Sequence, residues 1–259
     1  MKKNILLLLP VCLLLLTAES YAQKQNGRTK VIAHRGAWKN TGATENSIAA
    51  LKAAIKLHCY GSEFDVHMSS DSVLFVYHDH IIQGKHIEKT ASTELSALKL
   101  SNGENLPTLE AYLKAAKKQK KTRLILEIKP SSISKERSLA LAEKCVDLVK
   151  SMKVGKITDY ISFDFDVCKK VKSLVPKAEV TYLNGEKSPE EIAAAGLSGV
   201  DYPYPAFQKN PDWIKESLDL KLTTNVWTVN DKAMMEWFIG KKVNYITTNE
   251  PELLMNLLK

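Results

Sequence analysis

The feature that most constrains this chain is a regular alternation of short β-branched runs with amphipathic stretches from residue 30 onward. Lys30 to Ala33 reads as a strand, and Glu45 to His58 carries apolar residues at helical spacing. Phe64 to His67 and Val73 to Tyr77 are strand-like, with the turn-forming Ser69-Ser70-Asp71-Ser72 between them. Thr108 to Lys120 follows Pro107 as a helix with Thr108 as N-cap, then Arg123 to Ile128 as strand and Lys135 to Met152 as helix. The same alternation runs through strands at 160–163, 178–183, 199–202, 222–229 and 243–247, and helices at 166–174, 189–195, 211–218, 232–239 and 252–258. Alternation of this kind implies parallel strands joined by right-handed crossovers. About eight such units in roughly 240 residues favour a closed (β/α)₈ barrel of the TIM type over an open sheet. No low-complexity linker divides the chain, so residues 23–259 are expected to form one domain.

The first 22 residues do not belong to that pattern. Lys2 and Lys3 precede an apolar run from Ile5 to Ala18, and Ser20-Tyr21-Ala22 supplies small residues for cleavage. The run is shorter than the roughly 20 residues needed to span a bilayer. A cleavable signal peptide over 1–22 is therefore expected, with export to the periplasm or the medium. Loss of Lys2, Lys3 and Glu19 would take the balance from 37 basic against 29 acidic residues to 35 against 28, a net +7. The lysines are scattered apart from Lys117 to Lys121 at a helix end, and no nucleic-acid-binding signature accompanies them, so nucleic acid is not an expected partner. Stable membrane insertion is not expected either, and no feature specifies an oligomeric state. Cys59, Cys145 and Cys168 remain in the mature chain; an odd, widely spaced set reads as buried free thiols, with one bridge open as an alternative.

A closed barrel carries its chemistry at the carboxyl ends of its strands. His34-Arg35-Gly36 ends the first strand. Glu63 and Asp65 stand at i and i+2 on the second, so the pleat points both to one side, and Glu127 with Lys129 repeats that spacing on the next. His78-Asp79 closes the extension between them. Inward carboxylates are costly to bury without a cation, which can be a neighbouring Lys or Arg or a metal. Carboxylate oxygens are the ligands preferred by Mg²⁺, Ca²⁺ or Mn²⁺. Two His, one Arg, three carboxylates and one Lys thus fall at strand ends on one face.

With these residues in place the sequence resembles the glycerophosphodiester phosphodiesterase family over nearly the whole mature chain. The matching strings are HRG at His34, EN at Glu45-Asn46, EFDV from Glu63, VYHD from Val76, LEIKP from Leu126, SFD from Ser162, NVWTVND from Asn225 and ITTNEP from Ile246. The resemblance implies a TIM barrel that hydrolyses small glycerophosphodiesters to an alcohol and sn-glycerol 3-phosphate with one divalent cation. It implies Glu63, Asp65 and Glu127 as metal ligands, His34 and His78 as the acid/base pair, and Arg35 and Lys129 as phosphate contacts.

These roles agree with the chemistry. Displacement at phosphorus concentrates negative charge on nonbridging oxygens, where a cation, a planar guanidinium and an ammonium stabilise it. A base is needed on the nucleophile and an acid on the leaving group, tasks suited to histidine. By resemblance His34 is the base and His78 the acid; either the glycerol 2-hydroxyl or water can be the first nucleophile. Glu45 is placed to hold Arg35 or approach the metal, and Asn46 to donate to a ligand or cap the first helix. Trp227 is placed to wall the glycerol site. His67 continues the Glu63-Asp65 face without being assigned to the metal, and His58, His80 and His86 are expected to face solvent.

Departures from the family pattern concern the pocket rather than the chemistry. The loop from His34 to Glu45 is longer than usual, Thr44 replaces a common Pro, and Asn249 stands where many relatives have Asp. Tyr202-Pro203-Tyr204-Pro205 suits either an alcohol-side contact or a rigid turn. The competing readings are a lipid-directed phospholipase D or C on a related barrel, which calls for an apolar rim or interfacial helix, and a noncatalytic binding barrel, against which both histidines and every carboxylate argue.

Overall fold

The computed structural model describes residues 29–259; the leader expected over 1–22, with Cys12, lies outside them. Eight parallel strands close into a barrel: β1 (Lys30–Ala33), β2 (Gly61–Met68), β6 (Arg123–Ile128), β7 (Thr158–Ser162), β8 (Val180–Tyr182), β9 (Gly199–Pro203), β10 (Thr223–Trp227) and β11 (Tyr245–Thr248). Closure comes from β1, which pairs with β11 through Lys30 opposite Tyr245 and with β2 through Ile32 opposite Gly61. The strands are buried on both faces, β2 along all 8 of its residues, because side chains fill the lumen and helices cover the outside. Ile32, Ile125, Ile161 and Leu183 form the inner plug. Gly61 is required there, since a Cβ would lie 2.9 Å from Cγ1 of Ile125 and 3.2 Å from Cγ1 of Ile32.

The helices start where the sequence supplies caps. Ser47 accepts from the Ala50 N–H, Thr108 from Ala111 and Ser134 from Arg137, each satisfying an otherwise unpaired amide of the first turn. Ser188 and Glu191 form a capping box ahead of Pro189–Ala194. Their apolar faces pack on the barrel exterior, where Leu51, Leu113, Val146, Val171 and Phe238 are buried.

Two regions depart from expectation. The Tyr204-Pro205 stretch is not simply a turn: Pro sits in the first turn of a helix over Tyr204–Lys209, where its fixed φ and missing N–H are tolerated. The stretch from His80 to Pro107 is a small folded cap, with a hairpin of β4 (Ile81–Ile82) and β5 (Lys85–His86), a 3₁₀ turn over Ile87–Lys89 and a helical turn over Ser92–Leu95. It has its own core of Phe75, Ile82, Ile87, Leu95, Leu100 and Leu106, anchored through β3 (Leu74–Val76), which pairs antiparallel with β2. All three described cysteines are free and buried, as expected, and burial pushes the Cys59 thiol up to about 12.

Candidate active site

The carboxyl ends of the strands surround a pocket of about 480 Å³ lined by His34, Arg35, Glu63, His78, Glu127, Lys129 and Trp227, with Phe163, Asp201 and Thr247 among the remaining walls. Six residues singled out for chemistry, drawn from β1, β2, β6 and the loops after them, thus meet in one cavity. Asp65 lies just beneath it, 1% exposed.

β1 continues its ladder with β11 through the His34 N–H and the Thr248 carbonyl at 2.9 Å, which fixes the start of the loop. Arg35 then turns to φ 57° and Gly36 to φ 81°. A Cβ on Gly36 would lie 2.6 Å from Cβ of Ala50, so the HRG glycine lets the loop pack onto the first helix. The turn aims the Arg35 N–H at Oε2 of Glu63 (2.8 Å), and the guanidinium donates to Oε2 of Glu45 (2.9 Å) with its Nε 3.8 Å from Oδ2 of Asp65. Glu45 therefore holds Arg35. Asn46, at φ 60°, donates to Oδ2 of Asp65 (2.8 Å) and accepts from the Asp65 N–H (3.1 Å); Ser47, not Asn46, caps the helix.

Glu63, Asp65 and Glu127 each present an oxygen within 4.8 Å of the other two, and all three are buried. Lys129 lies 2.8 Å from Oε1 of Glu127 and 3.2 Å from Oδ1 of Asp65. Burial and the charges of Asp65 and Glu127 raise the Glu63 carboxyl well above the usual range, while burial and Asp65 push Glu127 up to about 8 despite Lys129. Burial opposes ionisation of Asp65 as well, but Lys129, His78, Asn46 and Arg35 together hold it low. Oε1 of Glu63 is buried with no hydrogen-bond partner. An excess of crowded carboxylates with an orphaned oxygen fits a bound divalent cation: the donor set is all oxygen, of the hard type, and incompletely neutralised by protein.

The histidines flank this cluster. His34 Nδ1 lies 2.8 Å from Oδ1 of Asn249, which can only accept, so Nδ1 carries the proton and Nε2 keeps its lone pair 3.9 Å from Oε2 of Glu63. Burial and Arg35 lower its imidazole to about 4. His78 Nδ1 lies 2.7 Å from Oδ1 of Asp79, leaving Nε2 for the pocket. His67 is buried, and its Nε2 donates to the His78 carbonyl at 3.1 Å, so it braces the His78 backbone. Trp227 packs edge-on to Phe163 with ring centroids 5.5 Å apart and donates from Nε1 to the Asp201 carbonyl (2.8 Å).

Some neighbours were not legible beforehand. Asp201 lies inside a β9 that otherwise reads as core, yet its carboxyl reaches the pocket wall, and burial pushes it up to about 7. Asn249 shows only as a departure from the family pattern, whereas it is the partner of His34. His58 is exposed as expected, but His80 and His86 are half-buried against Glu88 rather than solvent-facing, because the cap folds them toward the loop after β6. Among the described residues no helix is long and apolar enough to cross a membrane.

The model of the glycerophosphoryl diester phosphodiesterase family matches residues 34–253. The glycerophosphodiester phosphodiesterase of Caldanaerobacter subterraneus is 28% identical over 246 residues, covering 90% of this chain and 98% of that protein. The crystal structure of a glycerophosphodiester phosphodiesterase from Parabacteroides distasonis superposes with a TM-score of 0.88 at 52% identity, covering 90% of this chain and 98% of that one. The fold is shared at 22% identity and a TM-score of 0.75 by an Oleispira antarctica phosphodiesterase solved with the product sn-glycerol-3-phosphate, over 92% of this chain and 98% of that one.

Proposed function

Because the chain belongs to the glycerophosphoryl diester phosphodiesterase family and is a phosphoric diester hydrolase, we propose that it cleaves small glycerophosphodiesters to an alcohol and sn-glycerol 3-phosphate, with His34 and His78 as its acid/base pair. The observation that carries this reading is the meeting of His34, Arg35, Glu63, His78, Glu127 and Lys129 around one pocket, over a buried Asp65. Glu63, Asp65 and Glu127 would hold the divalent cation, Mg²⁺ or Ca²⁺ in preference and Mn²⁺ as a further candidate; when bound, it supplies Lewis-acid charge to the phosphate oxygens.

The remaining roles follow from the side chains. Arg35 offers a planar fork for two phosphate oxygens, kept in place by Glu45, and Lys129 adds a point charge from the opposite side of Asp65. The lone pair on Nε2 of His34 takes the proton of the nucleophile, because Asn249 holds the other proton on Nδ1. Nε2 of His78 gives its proton to the departing alkoxide, with Asp79 orienting the ring through Nδ1. Phe163 and Trp227 give an apolar wall that suits the glycerol carbons and excludes water.

The test is hydrolysis of a panel including glycerophosphocholine and glycerophosphoethanolamine by purified protein, in EDTA and after return of each divalent ion. Turnover that vanishes in EDTA and returns with one ion is expected; inactivity on every diester with every ion refutes the reading. A 2-deoxy glycerol substrate separates the two nucleophiles, since normal turnover of it excludes attack by the 2-hydroxyl. We also propose that residues 1–22 direct export, on the strength of Lys2-Lys3, the apolar run and Ser20-Tyr21-Ala22. N-terminal sequencing of the exported protein should then begin at Gln23.

A further inference from the structure

Outside the catalytic pocket, the cap brings together a second group of ligand-type side chains. His80 lies just before the β4–β5 hairpin, His86 ends it, and Glu88 sits in the 3₁₀ turn that follows. Each offers one ligand atom within 4.8 Å of the other two. Nδ1 of His80 and Nδ1 of His86 are both shielded from solvent and have no hydrogen-bond partner. The His80 Nδ1 is 3.8 Å from Oε2 of Glu88, too far for a hydrogen bond.

The surrounding bonds fix which atoms are free. The Ser132 hydroxyl lies 2.8 Å from Oε2 of Glu88 and 3.2 Å from Nε2 of His86. Its single proton goes to the carboxylate, which can only accept, so Nε2 of His86 must be the donor to Ser132. In the neutral tautomer that this bond selects, Nδ1 of His86 bears the lone pair, set by a hydroxyl that is itself fixed by the carboxylate, an arrangement like that behind a metal-bound imidazole. Oε1 of Glu88 accepts from the Ser131 hydroxyl at 2.5 Å and from Arg137 at 3.2 Å, and Oε2 from the amide and hydroxyl of Ser132, which fixes the carboxylate in place. Two imidazoles, each with an unpartnered and buried Nδ1, thus stand beside one carboxylate, an arrangement that costs free energy until a cation joins them.

We propose that His80, His86 and Glu88 form a second metal site, separate from Glu63, Asp65 and Glu127, that takes a borderline transition ion of the Zn²⁺ class. Ligands at 2.0–2.2 Å from a tetrahedral Zn²⁺ stand roughly 3.4 Å apart, so the 3.8 Å separation closes with a small ring rotation. Two nitrogens and one oxygen select Zn²⁺, Co²⁺ or Ni²⁺ over Mg²⁺ and Ca²⁺, the reverse of the all-oxygen cluster in the pocket. The His80 side chain is 41% exposed, which leaves a path for the ion and a fourth position for water. An ion here would tie His80, two residues along the chain from His78, to Glu88 and, through the hydrogen bonds of Glu88, to the loop at Ser131-Ser132. The site does not depend on which diester the enzyme cleaves.

The test uses Co²⁺ as a visible probe of coordination, added to chelator-stripped protein in the presence of excess Mg²⁺. A nitrogen-containing site of low coordination number gives a strong visible band, and an octahedral all-oxygen site a weak one. One equivalent with the strong band is expected, displaced by Zn²⁺, kept in Glu63→Gln and lost in His86→Ala, with at least a tenfold fall in Zn²⁺ affinity for the latter by calorimetry. His80→Gln serves as the second variant, and the metal-free melting temperature of each confirms its fold. No strong band in the parent protein overturns the proposal, as does a band kept in folded His86→Ala and His80→Gln or lost in Glu63→Gln.

Discussion

Replacing Glu63 by Gln should stabilise the metal-free protein while removing its response to a divalent cation. Glu63, Asp65 and Glu127 place oxygens within 4.8 Å of one another, and at an effective dielectric of about 20 two unit charges at that distance repel by about 3–4 kcal/mol. Glu63 is the member with least compensation: its Oε1 is unpartnered, Oε2 accepts the Arg35 N–H, and Lys129 is engaged with the other two carboxylates. Burial, with the repulsion of Asp65 and Glu127, raises the Glu63 carboxyl above its unfolded value. A carboxyl raised in this way contributes stability that is complete below the unfolded pKa near 4.5 and is lost as pH rises through the folded one. Glu63→Gln keeps the shape and removes the titration. At pH 8 in EDTA we expect a gain of about 3 kcal/mol, which for a domain of this size raises the melting temperature by roughly 6–12 °C. At pH 4.5 the two proteins should melt together. Mg²⁺ or Ca²⁺ should raise the parent's melting temperature and leave the variant's unchanged. Calorimetric melting in EDTA across pH 4.5–8, repeated with each ion, decides the matter. A variant that melts lower than the parent at pH 8, or an equal ion-induced shift in both, refutes the reasoning.

Three further outcomes follow from the site. His34→Ala and His78→Ala should each lower kcat by about 10²–10⁴ without a large change in melting temperature, because neither ring belongs to the packed core; steady-state kinetics with paired melting curves checks this. Asn249→Asp should move the acidic limb of the kcat/KM profile upward from near the His34 value of about 4, since a carboxylate on Nδ1 stabilises the imidazolium that burial and Arg35 disfavour; an unmoved limb excludes His34 as the base. Cys59, Cys145 and Cys168 are buried, with thiols raised by desolvation, so a thiol reagent should label none of them in the native protein and all three once unfolded.

The alternation of strand and helix was legible because each element states itself locally. β1, β6 and the helix over Lys135–Met152 fall on the boundaries read from periodicity, and Thr108 caps as its position implies. The Glu63-Asp65 and Glu127-Lys129 pairs were legible for the same reason, as spacing two on a strand puts side chains on one face. The cap was not, because its short elements owe their shape to a small core assembled from residues as far apart as Phe75 and Leu106.

What the sequence determined by itself was the barrel class and the kinds of atom available at its mouth. Tertiary structure decided their partners. Closure through β1 brings Asn249 onto His34 across 215 residues, Asn46 reaches Asp65, and the cap turns His80 and His86 from expected surface residues into neighbours of Glu88. Local periodicity carries no information on such contacts. They are set by which strands must pair to leave no edge and which buried polar groups must find one another once water is gone.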